Sequence, residues 1–208
     1  MVKIQHMMDK YNINQTTLKI LQLYSSDYHR RLHTREIARE TGVDVKATQQ
    51  QLKRLERNNI LSSQTIGRNK EHRLNTDNIL TRYYMTLAET YASVTYLGEH
   101  YNIKKIVDET QNEIRGTAIL FGSHAKGEEK EESDIDLFII TDNEKRPDFT
   151  EAGNLIGREI NAKSTSRDNF LRGLENNDPL IIEVKSHHIL LKGIDEFTEV
   201  MWRHYARG

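Results

Sequence analysis

Two aspartates and a glycine–serine pair in the second half of the chain have the residue types and the spacing of a phosphate-handling site. Gly122 and Ser123 follow an apolar run, and Asp134 and Asp136 come after ten further residues, the second of them inside another apolar run. Because residues i and i+2 of a strand face the same way, the two carboxylates would lie side by side. Two anions in an apolar run need a compensating cation, and Mg²⁺ with its remaining ligands from substrate phosphates meets that need. The pattern predicts that Asp134 and Asp136 bind metal and act in catalysis, and that Gly122, Ser123 and Lys126 bind nucleotide phosphates.

A structural interpretation of these aspartates competes with the catalytic one. Asp134 would then sit at a strand end, and Asp136 would pair with an arginine. That interpretation leaves the fixed spacing from Gly122 and Ser123 unexplained, so the sequence favours catalysis.

The segment from Phe121 to Ile140 resembles the minimal nucleotidyltransferases of the DNA polymerase β superfamily. The resemblance implies a mixed sheet with helices on one face and a site for one or two Mg²⁺ ions. It also implies transfer of a nucleoside monophosphate from an NTP, with ATP expected, to an acceptor with release of pyrophosphate. Members of the minimal family pair with small helical toxins and can modify them with AMP, so a protein acceptor or a toxin partner is among the expectations.

A third acid, the general base of that family, has no clear counterpart in this chain. By spacing from the glycine it would fall on Asn161, in a segment (157–163) that reads as a strand, and asparagine cannot act as a base. Glu159 lies two residues earlier on the same strand face, within reach of a long side chain, and is the candidate base. Glu183 is a weaker candidate, because its segment also fits a solvated helix. Without a base, the metal alone would activate the acceptor, or the fold would bind nucleotide as the sensor of a transcription regulator with little or no catalysis.

Charge divides the chain into two parts. Residues 1–75 contain 14 Lys and Arg against 7 Asp and Glu, a net charge of +7, whereas residues 76–208 contain 16 against 24, a net charge of −8. The total of −1 is therefore a cancellation. A basic block beside an acidic one is expected where only one part meets a polyanion, although charge also drifts between small domains.

The basic block has the pattern of two short helices joined by a tight glycine turn. The first of the pair begins at Thr34 and ends at Gly42, and Asp44 can cap the second, which runs to about Asn58. A helix near residues 16–24, with Thr16 or Thr17 as N-cap, precedes them. Such a pair is typical of a helix-turn-helix, in which the second helix reads the major groove.

Polar and basic residues lie on the outward face of that second helix, and two more basic residues lie at the tip of a following strand–turn–strand wing. Arg and Lys suit guanine edges and phosphates, and Gln suits adenine. The predicted DNA-binding residues are Lys46, Gln49, Gln50, Lys53, Arg54, Arg57, Arg68 and Lys70. Residues 14–75 resemble the winged helix-turn-helix superfamily, and the whole chain resembles the archaeal-type fusion of such a domain to a minimal nucleotidyltransferase. The alternative is a three-helix module used for protein contacts only.

A long helix is predicted between the halves, with Asp77 or Thr76 as its N-cap and reaching about Tyr101. Its apolar residues recur at heptad-like spacing, at Leu80, Tyr84, Leu87, Tyr91, Val94, Gly98 and Tyr101. This stripe fits either a homodimer seam, which a palindromic double-stranded DNA site would require, or packing on the helix's own domain.

The predicted fold class is therefore α+β, with three parts. These are a winged helix-turn-helix DNA-binding domain (1–75), a linking helical segment (76–115) and a nucleotidyltransferase-like domain (116–208). The absence of cysteine excludes disulfides, Cys-ligated zinc and Cys nucleophiles. Apolar runs of about four residues are too short to cross a membrane, and the first residues lack the apolar core of a signal peptide, so we expect a cytoplasmic protein.

Overall fold

A computed structural model describes residues 13–67, 69–143 and 147–206. The chain divides into two compact units, Met1–Ala88 and Glu89–Gly208. The elements of the first unit are α1 (Gln15–Gln22), β1 (Leu32–His33), α2 (Thr34–Thr41), α3 (Val45–Arg57), β2 (Leu61–Ile66) and β3 (Asn69–Leu74).

Helix boundaries in the first unit follow local capping. Asn14, rather than Thr16 or Thr17, caps α1, because its side chain accepts the Thr17 N–H at 2.9 Å while Thr17 itself is buried. The helix α2 ends at Gly42, which adopts a left-handed φ of +66°. Asp44 caps α3 as predicted, accepting from Lys46 N at 2.8 Å.

The wing is an antiparallel hairpin within a three-stranded sheet of order β1-β3-β2. The strand β1 was not predicted, since two residues are too few to show an alternating pattern. Ile66 pairs with Asn69, and Gly67 begins the turn between the two strands. Arg68 lies outside the described residues.

A helix of 21 residues, α4 (Ile79–Glu99), passes through the boundary between the two units. It ends two residues before the predicted Tyr101. A separate helix, α5 (Tyr101–Thr110), follows after His100, whose backbone leaves the helical region. Of the predicted apolar stripe, Tyr84 is buried with 6% of its surface exposed, whereas Leu80, Leu87 and Val94 are exposed.

The second unit contains a four-stranded mixed sheet of order β6-β5-β4-β7. The strand β5 is antiparallel to β4 and parallel to β6. After α5, its elements are β4 (Thr117–Phe121), α6 (Gly122–Lys126), β5 (Ile135–Ile140), α7 (Thr150–Ile156), β6 (Ile160–Thr165), α8 (Arg167–Glu175), α9 (Pro179–Ser186), β7 (Ile189–Lys192) and α10 (Ile194–Tyr205).

Alternation along β5 places apolar residues on both faces of this sheet. Ile135, Leu137 and Ile139 join a core cluster with residues of α5 and α7. Phe138 faces the opposite way and contacts Phe170 of α8, with ring centroids 5.9 Å apart. The α+β fold class with a mixed sheet is confirmed. Helices cover the second face of the sheet as well as the first, and Asp136 lies on this second face with Phe138.

Candidate functional site

Gly122 brings the chain against the Asp136 carboxylate at the end of β4. Its φ is +71°, and a Cβ at this position would lie 2.4 Å from Asp136 Oδ2. No other residue type fits there without moving that carboxylate. The backbone of Ser123 therefore begins directly beside the aspartate pair, as the sequence spacing indicates.

Asp134 and Asp136 lie at the beginning of β5, where the sheet brings three elements together. Asp136 pairs with Phe121 on β4 and with Asn161 on β6. Burial raises the pKa of the Asp136 carboxyl, and the neighbouring Asp134 carboxylate raises it further. Both effects oppose a second negative charge, so the pair provides a site where a cation is electrostatically favourable.

Asn161, the residue at the expected third-acid position, stands beside the aspartate pair. Its Nδ2 is 3.5 Å from Asp134 Oδ2, at the limit of a hydrogen bond. An amide at this point donates to the carboxylate where a third acid would repel it. No group of three or more His, Cys, Asp or Glu side chains with metal-binding geometry occurs among the described residues.

Glu159, the candidate base, lies immediately before β6, which begins later than predicted. Its backbone oxygen accepts the Ile135 N–H at 2.9 Å, so its backbone is next to Asp134. Its exposed side chain belongs to the lining of a cavity of about 630 Å³ that also includes Phe149 and Arg158. The lining of that cavity includes neither of the two aspartates.

Lys126 is paired with a residue that the sequence ranked low. Its Nζ donates to Glu183 Oε1 of α9 at 2.9 Å. The charge of Glu183 also contributes to the raised pKa of Asp136, whereas Lys163 of β6 lowers it. Glu183 therefore belongs to the electrostatic surroundings of the site, although 57 residues separate it from Lys126. No local pattern could have indicated this pairing.

Two further residues fix the turn that follows Gly122. The Tyr96 hydroxyl of α4 donates to the His124 carbonyl oxygen at 3.3 Å. His124 also lies close to the charge of Asp136, whose pKa it lowers. Neither residue was singled out from the sequence, because each acts through a contact distant along the chain.

The predicted DNA-reading residues of α3 share one exposed face. Thr48, Leu52 and Leu55 are buried on the opposite side of the helix. The six predicted residues on α3 are all exposed, and they are Lys46, Gln49, Gln50, Lys53, Arg54 and Arg57. On the wing, Lys70 forms an ion pair with Glu56 at 2.7 Å, so part of its charge is already compensated.

Comparison with known families gives one match in the N-terminal part of the chain and one in the C-terminal part. The family model described as polymerase beta, nucleotidyltransferase matches residues 101–197, and that of winged helix-turn-helix DNA-binding matches residues 13–62. The chain joins a winged helix-turn-helix domain to a nucleotidyltransferase domain. No curated protein and no solved structure matches it significantly.

The nucleotidyltransferase match contains the whole candidate site, from Tyr101 before the sheet to Phe197 in α10. The winged helix-turn-helix match contains the whole of α3, the predicted reading helix. Among the described residues, no helix combines the length and the apolar character needed to cross a bilayer.

Proposed function

We propose that the C-terminal domain transfers a nucleoside monophosphate from an NTP, with ATP as the expected donor, to an acceptor while the N-terminal domain binds double-stranded DNA. The observation that carries the proposal is the contact of Gly122 with Asp136 Oδ2, where a Cβ would come to 2.4 Å. This contact places a glycine–serine turn and two carboxylates at one point, and both are needed to hold a metal-bound triphosphate.

The side chains at this point have distinct proposed roles. Asp134 and Asp136 would hold Mg²⁺. Burial and the neighbouring Asp134 carboxylate raise the pKa of Asp136, and a bound cation would offset both effects. The ion would neutralise the negative charge that develops on the transferred phosphoryl group. The Ser123 hydroxyl and backbone N–H would donate to phosphate oxygens, and Lys126 would exchange part of its contact with Glu183 for the triphosphate.

Activation of the acceptor is assigned to Glu159. Its backbone lies next to Asp134, and its side chain is exposed. The acceptor oxygen would form the new bond to the α-phosphorus, its proton would pass to the Glu159 carboxylate, and the bond to the pyrophosphate oxygen would break. Asn161 would orient Asp134 through its amide N–H.

The test is transfer of label from α-labelled ATP in the presence of Mg²⁺, with a panel of acceptors that includes the protein itself and small helical proteins. The variant carrying Asp134→Asn together with Asp136→Asn should lose transfer and pyrophosphate release. Its DNA affinity should be unchanged, which provides the internal control. Full transfer by this double variant would overturn the assignment.

A second candidate function is a DNA-bound regulator that senses nucleotide without transferring it. Asn161 favours this candidate, because it occupies the position of the expected third acid beside Asp136. Nucleotide binding by calorimetry with no pyrophosphate release under Mg²⁺ or Mn²⁺ would support it over the transferase.

A further inference from the structure

The strand β6 forms an edge of the sheet in the second unit. Among the described residues it pairs with β5 only, in a parallel register that continues without a break from Ile160 to Thr165. Unpaired backbone groups on such an edge can bind another extended chain, so most natural sheets protect their edges. A regular edge strand of six residues is therefore a candidate binding surface.

Alternate residues of β6 direct their backbone N–H and C=O groups away from β5. The Glu159 carbonyl oxygen accepts the Ile135 N–H at 2.9 Å. Thr165, at the other end of the strand, accepts the Thr141 N–H at the same distance. Since successive residues of a strand direct these groups to opposite sides, the even-numbered residues between them face the free edge. Within the described parts of the chain, no backbone group pairs with those of Ile160, Ala162 and Ser164.

The opposite edge of the sheet, β7, has protection that β6 lacks. It contains four residues rather than six, and its register with β4 is interrupted by an irregularity. Lys192 at its end donates from Nζ to the Ile114 carbonyl oxygen at 2.8 Å. A short strand, an irregular register and a lysine are all means by which natural sheets protect an edge. The lysine of β6, Lys163, acts on the aspartate pair instead: burial raises the pKa of Asp136, and the charge of Lys163 partly offsets that rise.

A cavity of about 630 Å³ adjoins the open edge of β6. Its lining includes Ile160 and Ala162 of the strand and Gly153 and Asn154 of α7. Ile160 and Ala162 are alternate residues, so their side chains lie on one face of the sheet, which is the face that packs against α7. An added strand uses both features, because its backbone pairs with the edge and its alternate side chains enter pockets beside it.

Carboxylates predominate around this cavity. A second cavity of about 440 Å³ shares Asp148 with the first. Among the described residues, the two linings together contain five carboxylates and one guanidinium, that of Arg158. The carboxylates belong to Glu109, Glu113, Asp148, Glu151 and Glu159. This surface is complementary in charge to a basic partner.

We propose that β6 binds an extended, basic segment of a partner protein as a fifth strand of the sheet. The segment would pair with the outward backbone groups of β6, and side chains on one of its faces would enter the cavity beside α7. Asp148 and Glu159 would attract a lysine or an arginine there. A second copy of β6 fits the edge less well, since it would bring the same carboxylates against one another. The proposal stands on strand geometry and charge and does not depend on nucleotide transfer.

Amide exchange followed by NMR on the full-length chain tests the edge residue by residue. The probe is a short peptide of alternating lysine and valine. In the free protein the amides of Ala162 and Ser164 should exchange rapidly, whereas those of Asn161 and Lys163, which face β5, should be protected. Saturating peptide should slow exchange at Ala162 and Ser164 about tenfold or more and leave Asn161 and Lys163 nearly unchanged. Protection of Ala162 and Ser164 in the free protein would mean that a second copy or another part of this chain occupies the edge, which would overturn the proposal.

Two substitutions at Ala162 provide a matched comparison of peptide affinity by fluorescence anisotropy. Ala162→Pro removes an outward N–H at the centre of the edge, a position that tolerates proline, and should weaken binding about tenfold or more. Ala162→Ser keeps this N–H and should bind like the wild type. Circular dichroism shows whether both variants are folded. Unchanged binding by a folded Ala162→Pro would overturn the proposal.

Changes in the peptide give the same comparison without changing the protein, should Ala162→Pro misfold. Methylation of one alternate set of peptide nitrogens should abolish binding, and methylation of the other set should leave it nearly intact, because only one set faces β6. A peptide of alternating glutamate and valine should bind about tenfold more weakly or worse. Equal binding of the acidic and basic peptides, or no binding of the basic peptide up to about 1 mM, would contradict the proposal.

Discussion

The predicted DNA-reading surface and the proposed nucleotide site differ in the number of elements that build them. Six of the eight predicted reading residues belong to α3, whereas the proposed nucleotide site draws on α6, β5, β6 and α9. A surface on one helix is defined by the helical period, so its residues act nearly independently of one another. A site assembled across a sheet depends on strand pairing and on single backbone contacts. We therefore expect a single substitution at the proposed nucleotide site to cause a large loss of nucleotide transfer. On α3 we expect each substitution to cause a smaller and nearly independent loss of DNA affinity.

The largest effect is expected at Gly122. An alanine there would bring its Cβ to 2.4 Å from Asp136 Oδ2, and a left-handed φ costs a non-glycine residue about 1–2 kcal/mol. Displacing Asp136 and the phosphate-binding turn together should lower nucleotide transfer on the order of a thousandfold. The measurement is kcat/KM for transfer of labelled ATP.

Gly127 is the matched control for this substitution. It has a φ of +67°, similar to that of Gly122, but a Cβ there would meet nothing within 4 Å. Gly127→Ala should therefore show a similar backbone strain with most of the transfer activity retained. Equal losses in the two variants would mean that backbone conformation, and not the contact with Asp136, controls the site.

A smaller loss is expected from Glu159→Gln. Removing a general base typically lowers the rate by about a hundredfold or more. We expect kcat to fall about a hundredfold while the dissociation constant for ATP changes little, because Glu159 has no proposed contact with the triphosphate. Steady-state kinetics and calorimetry separate the two quantities.

Glu183→Gln distinguishes the two candidate acids. Glu183 contacts Lys126, so its loss should change KM for the nucleotide severalfold and leave kcat nearly constant. Glu151→Gln, on the exposed surface of α7, serves as the neutral comparison. A fall of kcat in Glu183→Gln together with an unchanged kcat in Glu159→Gln would assign the base to α9 instead.

Glu159 and Glu183 also show which parts of the candidate site the sequence predicts. Gly122, Asp134 and Asp136 were predictable, because their types and spacing already imply one loop and one strand face. The proximity of Glu183 to Lys126 depends on where α9 packs, and strand alternation carries no information about that. The predicted reading residues of α3 could be grouped from the sequence alone, because the helical period of one helix places them all on one face. The burial of Tyr84 and the exposure of its neighbour Tyr83 in α4 required the fold, because both residues fit an apolar repeat.

On α3 we expect graded effects of about tenfold. Lys53→Ala should weaken binding of double-stranded DNA about tenfold and reduce the slope of log affinity against log salt by about one, if the side chain contacts one phosphate. Adding Arg57→Ala should weaken binding by a further, nearly independent factor. Fluorescence anisotropy at several salt concentrations measures both quantities.

Arg35 on α2 is the control for charge alone, since it is also exposed and basic but lies on another helix. Arg35→Ala should change the affinity for DNA much less than Lys53→Ala. Equal effects of the two variants would show that net charge, and not the surface of α3, determines binding.

The smallest effect concerns a buried histidine in each unit, because the two respond oppositely to pH. In the first unit His72 Nδ1 lies 3.0 Å from Glu56 Oε1, and burial lowers the pKa of His72 from its usual value of 6.5 despite this carboxylate. In the second unit His188 Nε2 lies 3.4 Å from Glu89 Oε1. Burial opposes protonation there too, but the Glu89 carboxylate and hydrogen bonds raise the pKa of His188 above 6.5.

The sign of the pH dependence follows from proton binding in the folded and unfolded states. Below a pH of about 6.5 the unfolded chain takes up a proton that folded His72 resists, so the first unit loses stability as the pH falls. Folded His188 takes up its proton before the unfolded chain does. Its contribution is therefore complete below a pH of about 6.5 and is lost as the pH rises through its folded pKa.

Hydrogen exchange by mass spectrometry at about pH 6 and pH 8, corrected for intrinsic rates, resolves the two units separately, and fluorescence of the single Trp202 reports on the second. Lowering the pH should reduce protection of the first unit relative to the second. His72→Gln should abolish the pH dependence of the first unit only, and His188→Gln that of the second only. If both units shift in the same direction, general titration of surface charges outweighs the two buried pairs, and the opposite pKa shifts do not control stability in this range.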